Sequence, residues 1–163
     1  EFAVNNAVPT AEGAIEIAMR EYPGTINGSK CLVVGFGRIG KILSHMLRGI
    51  GAAVTVSSRK QSDIAWTLSY GYTPIRTENI CDKEQYDIIF NTVPTVIFNR
   101  RLLSKMRNKP LIVDLSSLPG GVDFEAAQKF GIKAIHALSL PGKVAPKTAG
   151  EIIKNTIYNM MEE

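Results

Sequence analysis

Residues 31–41, CLVVGFGRIGK, constrain this chain more than any other stretch. Leu32, Val33 and Val34 form a short apolar run that suits a strand buried on both faces. Gly35, Gly37 and Gly40 follow as G-x-G-x-x-G. From Ile39 onward the apolar residues Ile42, Leu43, Met46, Leu47 and Ile50 recur at helical spacing, and Gly49 and Gly51 close the helix. A dinucleotide-binding turn needs this order of strand, glycines and helix. Gly35 permits the sharp turn, Gly37 leaves the backbone open to a pyrophosphate, and Gly40 lets the helix pack close to the strand. The N–H groups of Arg38 and Ile39, at the positive end of the helix dipole, are the expected phosphate ligands. The competing reading is a purely structural glycine turn in the same fold.

The remaining pattern alternates strands and helices. Residues 3–9 read as an extended lead-in, after which Thr10 is expected to cap a helix running to about Glu21. Its apolar face would be Ala11, Ala14, Ile15, Ala18, Met19 and Tyr22, with Pro23-Gly24 as its stop and Asn27-Gly28 turning into the first strand. Further strands are expected at 53–56, weakly at 73–76, and at 87–93, 111–115 and 132–137. Ser62 should cap a helix with Ile64, Ala65 and Leu68 inward, Trp66 packed and Gly71 as the stop. Residues 78–85 form a polar connector, and 99–106 a short helix with Leu102, Leu103 and Met106 inward. Asp123 should cap a helix over 124–130. Residues 138–147 read as a loop, and Pro146 opens a last helix whose buried stripe would be Ala149, Ile152, Ile153, Ile157 and Met160. Six strands alternating with helices predict an α/β, Rossmann-type doubly wound parallel sheet covered on both faces.

This assigns 1–28 to a connector and N-terminal helix and 29–163 to the dinucleotide-binding domain. A helix arriving ahead of the first strand, and a chain that does not begin with Met, lead to the expectation of a fragment lacking an N-terminal substrate domain. A length of 163 residues, 45% of them hydrophobic, suits one domain with a real core. The net charge of +4 comes from 19 basic and 15 acidic residues. The cations are dispersed rather than massed in a stripe with aromatics, which argues against nucleic acid and suits an anionic ligand. No apolar run reaches bilayer-spanning length and no charged-then-apolar leader opens the chain, so a soluble, cytoplasmic protein off the membrane is expected. Cys31 and Cys81 have neither C-x-x-C nor metal-ligand spacing, so reduced thiols and no metal are expected.

Coenzyme preference turns on the end of the second strand. An acidic residue about 20 positions past the first glycine ordinarily binds the ribose 2′-hydroxyl of NAD. Here that position is Ser57, followed by Ser58, Arg59 and Lys60. Serine hydroxyls can donate to a 2′-phosphate, the Arg59 fork can grip it with two hydrogen bonds, and Lys60 adds charge, so NADP is the expected cofactor. Ligands of such sheets lie outside the carboxyl ends of the strands. Thr92, Val93, Pro94 and Leu115 are therefore expected to border the cofactor, as is the loop over residues 116–121.

With both ends of the chain read, 8–18 (VPTAEGAIEIA), 35–41 (GFGRIGK), 114–124 (DLSSLPGGVDF) and 140–150 (LPGKVAPKTAG) together resemble the C-terminal, nucleotide-binding half of the A-subunit family of dipicolinate synthases from spore-forming bacteria. The GFGRIG motif alone is shared with hydroxyacid dehydrogenases. The resemblance implies an oxidoreductase late in the lysine branch, oxidising dihydrodipicolinate, or a hydroxylated tetrahydro precursor that loses water, to dipicolinate during sporulation. It also implies a small dicarboxylate substrate and, as partner, a second, flavoprotein-like subunit. The P-G-x-V-x-P-x-T run at 141–148 is similar to the loop facing the nicotinamide in methylenetetrahydrofolate dehydrogenases, which also use an arginine after the second strand for NADP.

The chemistry implied removes a hydride and a proton from a dihydropyridine, so the protein has mainly to hold the nicotinamide against the reacting carbon. No residue is assigned as its acid or base. His136, near the end of the sixth strand, and Lys143 are the candidates, each also readable as an ordinary structural or solvated residue. Lys147 is a further candidate for substrate carboxylates, and Asp114 either orients a partner or hydrogen-bonds loop backbone. A missing substrate domain could equally hold the acid or base. Two other classes fit the same pattern. One is another NADP enzyme, related to shikimate or methylenetetrahydrofolate dehydrogenases. The other is a non-catalytic dinucleotide sensor, for which the loops over 116–121 and 140–148 have no evident use.

Overall fold

Residues 30–34, KCLVV, form the central strand, and the computed structural model, which describes residues 1–81 and 85–162, arranges the other elements around it. In chain order these are α1 (Phe2–Asn5), α2 (Ala7–Glu21), β1 (Lys30–Val34), α3 (Arg38–Ile50), β2 (Ala53–Ser58), α4 (Gln61–Ser69), β3 (Thr73–Arg76), a 3-10 turn (Thr77–Asn79), β4 (Ile88–Asn91), α5 (Arg100–Leu103), β5 (Leu111–Asp114), α6 (Phe124–Lys129), β6 (Ala134–His136), α7 (Leu140–Val144) and α8 (Pro146–Glu162). All five strand pairings are parallel, in the order β3-β2-β1-β4-β5-β6. The described residues thus form the expected Rossmann-type sheet.

Successive side chains of a strand point to opposite faces, and β1 divides the core accordingly. Cys31 and Val33 pack with Ala11, Ala14 and Ala18 of α2 and Leu43 and Leu47 of α3. Leu32 and Val34 pack on the other side with Phe98, Leu103, Ala126 and Ala127. Burial pushes the Cys31 thiol up to about 11, so this side chain behaves as a small apolar group. Neither cysteine is in a disulfide.

The strand-to-helix turn is the tightest junction. Gly35 has φ +97°, in the left-handed region that a side chain disfavours, and a Cβ there would stand 2.5 Å from the Thr92 hydroxyl. A Cβ at Gly40 would collide with the carbonyl of Gly35, so α3 approaches the end of β1 backbone to backbone.

Several expectations are corrected. The lead-in over 3–9 is helical: α1 and α2 follow one another, Asn6 occupies the N-cap position of α2, and Thr10 lies inside that helix with its hydroxyl donating to the Asn6 carbonyl at 2.6 Å. Pro9 falls in the first turn of α2, where a missing N–H costs nothing, so it does not mark an extended segment. Met19 is exposed. Ser62 does not cap α4, whose N-cap is Lys60 without a side-chain cap bond, and Thr67 is its one fully buried residue. Ala65, Leu68 and Trp66 face solvent and Ile64 is partly buried, because α4 packs mainly on the edge strand β3 and its neighbour β2, at one margin of the sheet. The loop over 138–147 contains α7. In α8 only Ala149 is buried, while Ile153, Ile157 and Met160 are exposed. Periodicity shows that a helix has an apolar face, but not that an element covers it. Residues 82–84 of the polar connector lie outside the described residues. The cap at Asp123 forms as read, accepting from the Ala126 amide at 2.9 Å, whereas Asn99, read as the first residue of a helix over 99–106, instead caps the shorter α5 by accepting from the Leu102 amide at 3.0 Å.

Gly40→Ala should lower unfolding stability by about 1–3 kcal/mol in denaturant titrations, the usual cost of forcing a methyl into a closed contact. The same substitution at Gly49, where an added Cβ meets nothing within 4 Å, should be neutral or stabilising.

Candidate dinucleotide-binding site

The chain runs from β1 outward to β3, then returns to place β4 on the other side of β1. This switch point opens a crevice outside the carboxyl ends of β1 and β4. One transverse row of the sheet marks its floor: Ile75, Ser57, Val34, Asn91, Asp114 and His136 stand side by side in register. Apart from β1, which ends in Val34, the strands therefore end in polar residues along this edge.

Above that row sits the glycine turn. The amide of Gly35 donates to Ser57 O at 2.8 Å, and both the amide and the hydroxyl of Thr92 donate to Val34 O, at 3.0 and 2.8 Å. Gly37 is the N-cap of α3, in extended backbone and without a side chain to cap it. The first-turn amides of Arg38, Ile39 and Gly40 have no intrahelical acceptor. A Cβ at Gly37 would meet nothing within 4 Å, so the space before those amides is open. Open amides at a positive helix end, fronted by free space, fit a diphosphate.

Two recesses flank the turn. The first, of 240 Å³, brings together Gly35, Gly37, Ser57, Ser58, Arg59, Lys60, Thr92, Val93 and Pro94, all expected from sequence. Phe36, Asp63, Thr77 and Ile97 complete it. Asp63 was missed because it lies on the helix after the expected serines, although an acidic residue in a helix's first turn is a readable signal. Both serine hydroxyls are engaged within the protein: Ser57 Oγ is fully buried and 3.0 Å from Thr77 Oγ1, and Ser58 Oγ donates to Asp63 at 3.2 Å. They anchor the loop, and exposed Arg59 and Lys60 are the groups it presents. The second recess, of 360 Å³, lies between α1, the start of α2 and the glycine turn, and includes Asn6, Gly37, Arg38, Ile39 and Thr92. Asn6 was missed because its segment read as extended.

At the far end of the row, Asp114 is fully buried and accepts four hydrogen bonds. Asn91 Nδ2 (2.8 Å), the Ser116 amide (3.1 Å) and the Ser116 hydroxyl (2.7 Å) donate to Oδ1, and the Gly121 amide (2.7 Å) donates to Oδ2. Asp114 therefore hydrogen-bonds loop backbone and holds the 116–121 loop on the sheet. The sequence signal was visible in IIFN and LIVD, two apolar runs each ending in a polar residue. His136 Nε2 lies 2.9 Å from the Ser116 carbonyl, which can only accept, so that nitrogen carries a proton and donates; the ring stacks on Phe124 at 5.4 Å. Leu115 packs in the core, while Lys143 and Lys147 are exposed on α7 and α8 and line neither recess.

Residues 7–117 match the family described as D-isomer specific 2-hydroxyacid dehydrogenase, NAD binding domain. The A-subunit of dipicolinate synthase from Bacillus subtilis (strain 168) is 41% identical over 164 residues, covering 100% of this chain and 55% of that protein. The crystal structure of the A-subunit of dipicolinate synthase from Bacillus halodurans matches with TM-score 0.95 at 35% identity, over 99% of this chain and 56% of that one. The crystal structure of the A chain of dipicolinate synthase from Bacillus subtilis matches with TM-score 0.94 at 41% identity, over 99% and 55%. The chain thus spans about half the length of the relatives it matches.

Asp114→Ala should cost at least about 3 kcal/mol in chemical denaturation, because it strands buried donors of Asn91, Ser116 and Gly121 at about 1–3 kcal/mol each. Limited proteolysis should then cut first within residues 116–121.

Proposed function

We infer the function of this chain from its family, because it belongs to the D-isomer specific 2-hydroxyacid dehydrogenases through their NAD-binding domain. It holds a nicotinamide dinucleotide for an oxidoreductase of the dipicolinate synthase kind, with NADP(H) preferred. The substrate we propose is a dihydrodipicolinate-type dicarboxylate, oxidised to the aromatic product by loss of a hydride and a proton. The carrying observation is that exposed Arg59 and Lys60 share one recess with the glycine turn, at a strand end that is serine rather than carboxylate. Asp63, the carboxylate in that recess, receives the Ser58 hydroxyl.

When bound, the nicotinamide supplies the hydride acceptor. The chain's own part is binding and orientation. Amides of Arg38 and Ile39 hold the diphosphate, and Arg59 with Lys60 takes the 2′-phosphate. The Asn91–Asp114 pair keeps the 116–121 loop in place at the crevice edge. His136 donates from Nε2 to that loop, which favours a positioning role for it. We assign the acid–base chemistry to the other half of a longer protein, on the relatives' greater length. That half has a surface to cover in the exposed apolar residues of α1 and α8, Phe2, Val4, Ile153, Ile157, Met160 and Met161. The same proposal includes a role in sporulation and pairing with a flavoprotein-like subunit.

Calorimetry should show NADPH binding more tightly than NADH. Arg59→Ala should weaken NADPH roughly ten- to hundredfold, the worth of a charge-assisted hydrogen-bond pair, and change NADH less than about threefold. Equal affinities of the two coenzymes would refute the preference.

This chain alone should bind coenzyme yet produce little dipicolinate absorbance from a dihydrodipicolinate-type substrate. Full rates from it would overturn the assignment of the acid–base groups.

A further inference from the structure

Asn6 stands at the junction of α1 and α2, with helical backbone angles of φ −69° and ψ −11°. Asparagine is among the best helix-capping residues, yet this one makes no side-chain cap bond. Its backbone is held without the side chain, since the Asn6 carbonyl accepts from the Thr10 amide at 3.2 Å and the Thr10 hydroxyl at 2.6 Å. The side-chain oxygen Oδ1 is buried and has no hydrogen-bond partner among the described residues. The large majority of buried side-chain polar atoms do have one, so an exception beside a binding site has a physical reason. Ser44 Oγ and Thr156 Oγ1 are also buried without partners. Those are hydroxyls inside helices, free to rotate, whereas a carboxamide oxygen can only accept.

The position of Asn6 indicates what it would accept from. It lines the 360 Å³ recess together with Gly37, Arg38, Ile39 and Thr92. Gly37 and Thr92 also line the 240 Å³ recess that holds Arg59 and Lys60. A dinucleotide with its diphosphate before the α3 amides therefore has one half toward each recess. The cations select the phosphorylated adenosine half, which leaves the Asn6 recess for the other. An acceptor there would repel phosphate oxygens, but ribose hydroxyls and a carboxamide NH2 are donors.

We propose that Asn6 is a coenzyme-contacting residue whose Oδ1 accepts a hydrogen bond from the nicotinamide riboside half of the bound dinucleotide. The proposal rests on the coenzyme reading above and deepens it. It makes Asn6 a group whose oxygen, covered and unpaired in the free protein, is turned into the recess and satisfied on binding.

The test is calorimetry with NADPH and with 2′-phospho-ADP, which lacks the nicotinamide riboside, on wild type and Asn6→Ala, with melting temperatures measured free of ligand. The proposal expects Asn6→Ala to weaken NADPH about tenfold, a single hydrogen bond, to leave 2′-phospho-ADP within twofold, and to melt at or above the wild-type temperature. Equal losses for both ligands, no loss for either, or a free protein melting several degrees lower would each overturn the proposal while the coenzyme reading stands. A wild-type protein that binds neither ligand would remove both.

Discussion

The approach of one backbone to another sets where everything else in this molecule lies. The first turn of α3 meets the turn leaving β1 with Gly40 against the Gly35 carbonyl, a distance that no side chain permits. That contact aims the start of α3 across the carboxyl ends of β1 and β4. The helix amides, with their share of the dipole, then face a space that Gly37 leaves open. A larger residue at position 40 would move the helix outward and the phosphate-binding amides with it.

The rim of the crevice is rigid for a second reason. Polar residues that close apolar strands must find partners once they are buried. Ser57 finds Thr77, Ser58 finds Asp63, and Asn91 and Asp114 find each other and the 116–121 loop. Through these bonds the sheet holds the loops that surround the site. Left free are Arg59 and Lys60 in solvent and the open amides of α3, all suited to an anion, together with the Asn6 carboxamide oxygen.

Much of this was legible in the residue order. The G-x-G-x-x-G between an apolar run and an amphipathic stretch located β1, α3 and the turn, and 73–76 became β3 with the boundaries read for it. Asp123 caps as expected because a cap depends on residues three positions apart. Elements whose character depends on distant packing were read less well. Residues 3–9 looked extended and are helical, the α7 segment looked like a loop, and the apolar stripe of α8 looked like core yet lies largely exposed. The Ser57 and Ser58 hydroxyls looked free for a ligand because their partners, Thr77 and Asp63, come from separate elements.

By itself, then, the sequence determined the alternation of strands and helices, the place of the glycine turn and the cations after the second strand. Each of these follows from backbone preference and apolar spacing within a few residues. Tertiary structure alone decided the transverse row from Ser57 to His136, the fourfold acceptance at Asp114, and the placing of Asn6 beside the phosphate-binding turn. Strand register and helix docking bring together residues as far apart in sequence as Asn6 and Thr92, and local periodicity holds no record of that distance.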